Sequence, residues 1–278
     1  MAKKSVVLTI TIWDDQVRLS FISKSMATLV SKTFYLNVET DDGGLRTIDP
    51  FELVYFLRTG IQQLMALKNV VIDSIGIASM PGYLMLWDSD KCTPISPMYV
   101  PNNGLKDLAF QEFKFSEFCA MFNSNKTTTS LTTPNLALNL WVIAKGYAKP
   151  MKESYIISGV DTWLNYLLSG YNDDALTTTS AMVEELLFEN DRWDSAMLSS
   201  ISLNESMLPL LEQSTSLTTK SFYPLPDGIP VAYNLSSNQL LSKMLNVYSS
   251  ESVACIHLSN INHMYFNHLK LSGGGNET

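Results

Sequence analysis

Cysteine and histidine are nearly missing from this 278-residue chain, with three of each. Cys92, Cys119 and Cys255 are odd in number, far apart and free of any Cys-x-x-Cys spacing. That speaks against a disulfide framework and suits reduced thiols in a cytoplasmic protein. His257, His263 and His268 fall near the end, behind Cys255, but their spacing fits no standard zinc pattern, so no metal site is expected. Basic residues are also short, 19 Lys and Arg against 27 Asp and Glu, for a net charge of -8. Such a balance offers no broad surface for nucleic acid or anionic membrane. No apolar run spans a membrane; residues 136–144 are too few and carry Asn139. The first apolar segment is broken by Asp14 and Asp15, unlike a signal peptide, so Asn-x-Ser/Thr at Asn125, Asn204, Asn234 and Asn276 reads as chance. Walker loops, Gly-x-Ser-x-Gly and internal repeats are lacking too.

What remains is a chain with 46% hydrophobic residues, enough to bury a substantial core. Residues 5–13 are rich in Val, Ile and Thr and predict a strand; residues 17–23 and 32–38 predict two more. Asp49-Pro50 opens a helix, Asp as N-cap and Pro at the first position, with Phe51, Val54, Tyr55, Leu57, Ile61, Leu64 and Met65 at helical spacing. Further strands are predicted at 70–78, 83–87 and 229–233, and helices at 134–145, 160–168 and 236–247. Trp141 and Trp163 on two of these helices read as core packing. Alternation of this kind predicts a mixed α/β plan.

Several strings are more specific than the periodicity. Ser158-Gly159-Val160-Asp161-Thr162-Trp163-Leu164 is followed by Leu168-Ser169-Gly170, a Thr/Ser patch at 177–180, Arg192-Trp193-Asp194 and Met207-Leu208-Pro209. Upstream lie Ile75-Gly76-Ile77 and Leu86-Trp87-Asp88; downstream lies Gly228-Ile229-Pro230-Val231. In order and wording these resemble the FGGY carbohydrate kinases, glycerol kinases most of all. The resemblance implies a ribonuclease-H-like domain of the actin, Hsp70 and sugar kinase superfamily. On it, residues 1–250 correspond to the first kinase domain, 251–271 to a remnant hairpin of the second, and 272–278 to a flexible tail.

The positions that would carry kinase chemistry on this resemblance hold other residues. The Gly-Asp-Gln of the general base is replaced by Ser237-Asn238-Gln239, and an amide at Asn238 cannot take a proton. The first phosphate turn, Asp-x-Gly-Thr-Thr, becomes Thr11-Ile12-Trp13-Asp14-Asp15 when Arg18 is the anchor. Trp13 then fills a phosphate's space, and the two acids face a triphosphate with like charge. A shifted register makes Asp14 a metal-facing carboxylate, still without a glycine beside it. The substrate-binding Arg-Glu pair aligns with Pro81-Gly82, the Trp-Gln-Asp-x-Arg block with residues 100–104, and a site Tyr with Thr133. The second phosphate loop aligns with Leu258-Ser259-Asn260.

The sequence therefore leads to an expected pseudoenzyme, a kinase-like domain that binds a protein partner, either a second copy of itself or an intact kinase paralogue. No cofactor is expected. ATP and magnesium enter only under the alternative, a split carbohydrate kinase completed by a separate ATP-binding chain. A polyol sensor without turnover ranks third.

Overall fold

The computed structural model describes residues 3–25, 27–67, 69–79, 81–101, 108–125, 135–147, 152–183, 186–188, 192–211, 217–236, 254–257 and 263–266. Strands β1 (Lys4–Trp13) and β2 (Gln16–Ser23) form a hairpin about Asp14 and Asp15, and β3 (Thr28–Tyr35) adds to β2. The third strand thus begins before residue 32 and ends before residue 38. Val38 instead opens β4 (Val38–Thr40), which returns as β5 (Arg46–Ile48) across the turn at 41–44. Helix α1 (Pro50–Met65) starts as its sequence predicts, the Asp49 side chain accepting from the Phe51 N–H at 2.9 Å. It leads into β6 (Val70–Ser79), parallel to β1.

Between β6 and the last strand of the main sheet lies a long insertion. It contains β7 (Met85–Asp88), β8 (Thr93–Pro94), β9 (Met98–Tyr99), α2 (Leu108–Lys114), α3 (Glu117–Asn125) and α4 (Asn135–Tyr147). It continues through β10 (Tyr155–Ser158), α5 (Val160–Leu168), β11 (Thr177–Thr178) and α6 (Ser180–Val183). Then come β12 (Leu187–Phe188), β13 (Arg192–Trp193), α7 (Ser195–Ser200) and β14 (Leu210–Leu211). Strands β15 (Leu217–Thr218) and β16 (Pro230–Ser236) rejoin the main sheet. Its order is β15-β16-β6-β1-β2-β3, with β1, β6 and β16 parallel and the remaining pairs antiparallel. Strands β17 (Ala254–His257) and β18 (His263–Phe266), within the 251–271 segment, pair antiparallel. The helix predicted at 236–247 lies outside the described residues, apart from Ser236, which ends β16.

Period-two burial explains β1. Val6, Leu8, Ile10 and Ile12 are buried while Val7, Thr9 and Thr11 are only partly covered. Helix α1 packs on the same side of the sheet, over β2 and β3. A Cβ added at Gly60 would lie 2.8 Å from both Leu19 Cδ1 and Phe34 Cε2, so the helix touches the sheet there through bare backbone. That close approach selects Leu53, Leu57, Ile61 and Leu64 for burial and turns Phe51 and Tyr55 outward, at 58% and 64% exposure. The stripe read from the sequence is therefore rotated: Phe51 and Tyr55 belong to the surface.

The core has two parts, a sheet cluster and a helical cluster. The small sheet β10-β7-β8 divides its side chains between them by alternation. Met85, Trp87 and Ile156 go to the sheet cluster, and Leu86 and Ile157 to the helices, with Phe113, Phe118, Leu140 and Leu198. Each such fully buried side chain contributes roughly 1.5–3 kcal/mol.

Candidate functional site

In open α/β sheets the crevice outside the carboxyl ends of the parallel strands is where ligands bind. Here Ile12 of β1 pairs with Ser79 of β6, and Ser79 pairs with Ser236 of β16, so these ends are level. The turn after Trp13 and the Pro81-Gly82 segment leave the sheet at the edge where β16 ends in Ser236. Register alone thus gathers two of the positions singled out from the sequence, the Trp13 turn and Pro81-Gly82.

Thr11 lies within the sheet, opposite Arg18 on β2 and Ala78 on β6. Trp13 pairs with Gln16 and is half-buried. Asp14 takes a left-handed φ of +52°, a conformation that glycine and asparagine adopt more readily. Its main-chain oxygen accepts a 2.7 Å hydrogen bond from the buried Tyr83 hydroxyl. Its carboxylate Oδ1 lies 3.1 Å from Arg46 Nη2, both side chains about four-fifths covered. Arg46 Nη1 donates to the Pro101 carbonyl at 3.2 Å, and the Leu36 N–H donates to the Asp15 carbonyl at 2.6 Å. Burial first, then the negative charge of Asp14, pushes the Tyr83 phenol far above its ordinary pKa, so it remains a proton donor.

Pro81 is partly covered and Gly82 buried, with φ +99°. The Gly82 carbonyl accepts from Asn139 Nδ2 at 2.8 Å. Neither Pro81 nor Gly82 offers a polar side chain. Asn238, Gln239, Thr133 and Ser259 lie outside the described residues, as do residues 102–104 of the block aligned at 100–104. Beneath the Tyr83 carbonyl runs Gly159, where an added Cβ would stand 3.6 Å from that oxygen and closer still to the Asp161 carboxylate. Asp161, in the first turn of α5, is 1% exposed, and neither oxygen finds a hydrogen-bond partner of normal geometry among the described residues. Burial raises its pKa from 3.8 to about 6, partly offset by the N–H groups of Asp161 and Thr162.

The sequence missed Arg46, Tyr83 and Asn139. Only Asn139 had left a signal, as the polar residue inside an apolar run. Two surface hollows lie elsewhere: one is bordered by Asn37, Glu52 and Pro97, the other by Asp90, Cys92 and Tyr171. Neither is lined by Thr11, Trp13, Asp14, Pro81 or Gly82. Among the described residues, no group of three or more His, Cys, Asp or Glu could hold a metal ion. No described helix is long and apolar enough to cross a membrane.

No protein-family model and no curated protein matches the chain. Solved structures do. Glycerol kinase from Plasmodium falciparum with ADP aligns at TM-score 0.71 and 19% identity, covering 86% of this chain and 50% of that one. Xylulose kinase from Lactobacillus acidophilus, with bound ligand, aligns at 0.70 and 14%, covering 87% and 50%. Gluconate kinase from the same organism aligns at 0.69 and 14%, covering 85% and 49%. The fold is that of the sugar kinases. This sugar-kinase-like chain spans about half the length of those structures and corresponds to their N-terminal half. The ribonuclease-H-like α/β class expected from the sequence is thereby established.

Proposed function

We propose that the chain is a glycerol- or carbohydrate-kinase-like pseudoenzyme, catalytically inactive, that serves as a protein-interaction or regulatory subunit. The observation that carries this reading is the β1–β2 turn. A phosphate-binding turn needs N–H groups that can close on an anion, usually with glycine allowing the approach. This turn contains Trp13, Asp14 and Asp15, and the carboxylate of Asp14 is tied to Arg46. These residues do not suit ATP or magnesium-bound triphosphate. Asn238 at the general-base position and Pro81-Gly82 at the substrate position support the same reading. Phe51 and Tyr55, exposed on α1, are apolar groups that a protein partner would cover, whether a second copy or an intact kinase paralogue.

The test is a coupled ADP-release assay with glycerol, xylulose and gluconate, run beside calorimetric titration of Mg·ATP. The expected result is no turnover above buffer and no binding heat; either signal overturns the reading. The alternative, a split carbohydrate kinase, is supported by the fold shared with glycerol and xylulose kinase structures. It requires turnover once a separate ATP-binding half is supplied. Light scattering of the purified chain, alone and mixed with an intact kinase paralogue, tests the partner: a monomer in both cases removes it.

A further inference from the structure

The contacts around the Asp14-Asp15 turn come from three separate stretches of chain, yet they converge on a turn of two residues. Tyr83 holds the Asp14 carbonyl at 2.7 Å, Arg46 holds its carboxylate at 3.1 Å, and Leu36 holds the Asp15 carbonyl at 2.6 Å. Arg46 is itself fixed from two sides. Its Nη1 donates to the Pro101 carbonyl at 3.2 Å, and its own carbonyl accepts from the Val100 N–H at 3.1 Å. Asp14 meanwhile sits at φ +52°, where a non-glycine residue persists only if its surroundings impose it.

We infer that Asp14, Arg46 and Tyr83 form an internal clamp that orders the β1–β2 turn without any bound anion. The clamp does with protein groups what phosphate oxygens do in a working phosphate turn: it anchors the loop at the carboxyl edge of the sheet. Two features make it a clamp rather than a surface ion pair. The side chains of Arg46 and Asp14 are only 21% and 18% exposed, so water screens them weakly. Tyr83 is 2% exposed and its hydroxyl has this carbonyl as acceptor, so breaking the contact strands a buried donor. The clamp also eases the cost of an acidic turn: the Arg46 guanidinium offsets the charge of the Asp14 carboxylate. Comparison with a ligand-bound turn rests on the pseudoenzyme reading; the ordering role does not.

Hydrogen–deuterium exchange of the full chain tests it, following the amides of residues 13–17 in the wild type, Arg46→Met and Tyr83→Phe. Loss of a charge-assisted contact should speed turn exchange by about tenfold in Arg46→Met, and by several-fold in Tyr83→Phe. Amides of α2 and α3, in the other core cluster, should not change and report that each variant is folded. Turn exchange within twofold of wild type in both variants overturns the clamp. Should Arg46→Met fail to fold, Tyr83→Phe decides by the same criterion. A separate arm adds millimolar Mg·ATP to the wild type. New protection of the turn there sinks the pseudoenzyme reading, while the variants still decide the clamp.

Discussion

Tyr83 separates two regions that meet the same corner of the molecule and have opposite characters. On one side its hydroxyl holds the β1–β2 turn; on the other its carbonyl lies over Gly159 at the start of α5. The α5 segment keeps the wording that resembles kinases, and eight of its nine residues are buried. The turn carries no such wording, and Trp13, Asp14 and Asp15 are only partly covered. The difference teaches where residue identity is held by packing. In α5 every neighbour is protein, so a change opens a cavity or strands a polar atom. At the turn one side faces outward, and a residue type can change once the loop is braced from behind.

The largest test of that contrast is truncation within each region. Trp163→Ala should lower unfolding free energy by about 3–5 kcal/mol, whereas Trp13→Ala should cost less than about 2 kcal/mol. Urea titration followed by circular dichroism measures both. A finer comparison uses phenylalanine. Trp87 Nε1 donates to Ser158 Oγ at 3.0 Å, while Trp163 Nε1 has no hydrogen-bond partner among the described residues. Trp87→Phe should therefore cost more than Trp163→Phe, since only the former breaks a made bond. Equal or larger losses at Trp13 would erase the distinction between the regions.

Next in size is Asp161, the polar residue that α5 retains at a cost. Its folded-state pKa is raised to about 6 from 3.8, so the folded chain holds this proton more tightly than the unfolded one. The resulting stabilisation is full below about pH 4 and is lost as pH rises through about 6. Asp161→Asn should leave stability near pH 4 almost unchanged and raise it at pH 7.5 by on the order of 2 kcal/mol. Thermal melts from pH 4 to 8 would show the wild-type profile falling across this window and the variant profile flattened. A variant less stable than wild type at pH 7.5 would mean that the carboxylate is satisfied after all.

The same contrast explains what the sequence could convey. Strand β1 was legible because its alternation is strict, and α5 because its wording is specific; its boundaries match the predicted 160–168. Strand β3 was misplaced because its residues are mostly exposed or half-exposed, which weakens the periodic signal. Helix α1 was found, but its inward face was rotated: the deciding contact is made at Gly60, which has no side chain to count. The clamp was invisible for another reason. Arg46 and Tyr83 stand 32 and 69 residues from Asp14, and no local pattern couples such positions. The absence of glycine from the turn was readable; what holds the turn instead was not.

A smaller effect is expected at Tyr83 itself. Tyr83→Phe keeps the ring in its buried place and removes only the hydroxyl bonded to Asp14, so the loss should be about 1 kcal/mol. Calorimetry resolves that difference, and no loss at all would assign the turn's order to Arg46 and Leu36 alone.

The smallest stability change should come from the surface of α1. Phe51 is 58% exposed and Tyr55 is 64% exposed, and both stand on the helix face turned away from Leu19 and Phe34. Replacing both with serine removes little buried area, so stability should move by less than about 1 kcal/mol, mostly through helix propensity. Association is the sensitive readout. If these rings are covered by a second copy or by a kinase paralogue, the double variant should weaken that complex at least tenfold in sedimentation velocity, with its melting curve nearly unchanged. A complex of undiminished affinity would move the interface off α1. A large drop in stability would instead show that the two rings pack inward, and the rotation of the helix stripe inferred from Gly60 would be wrong.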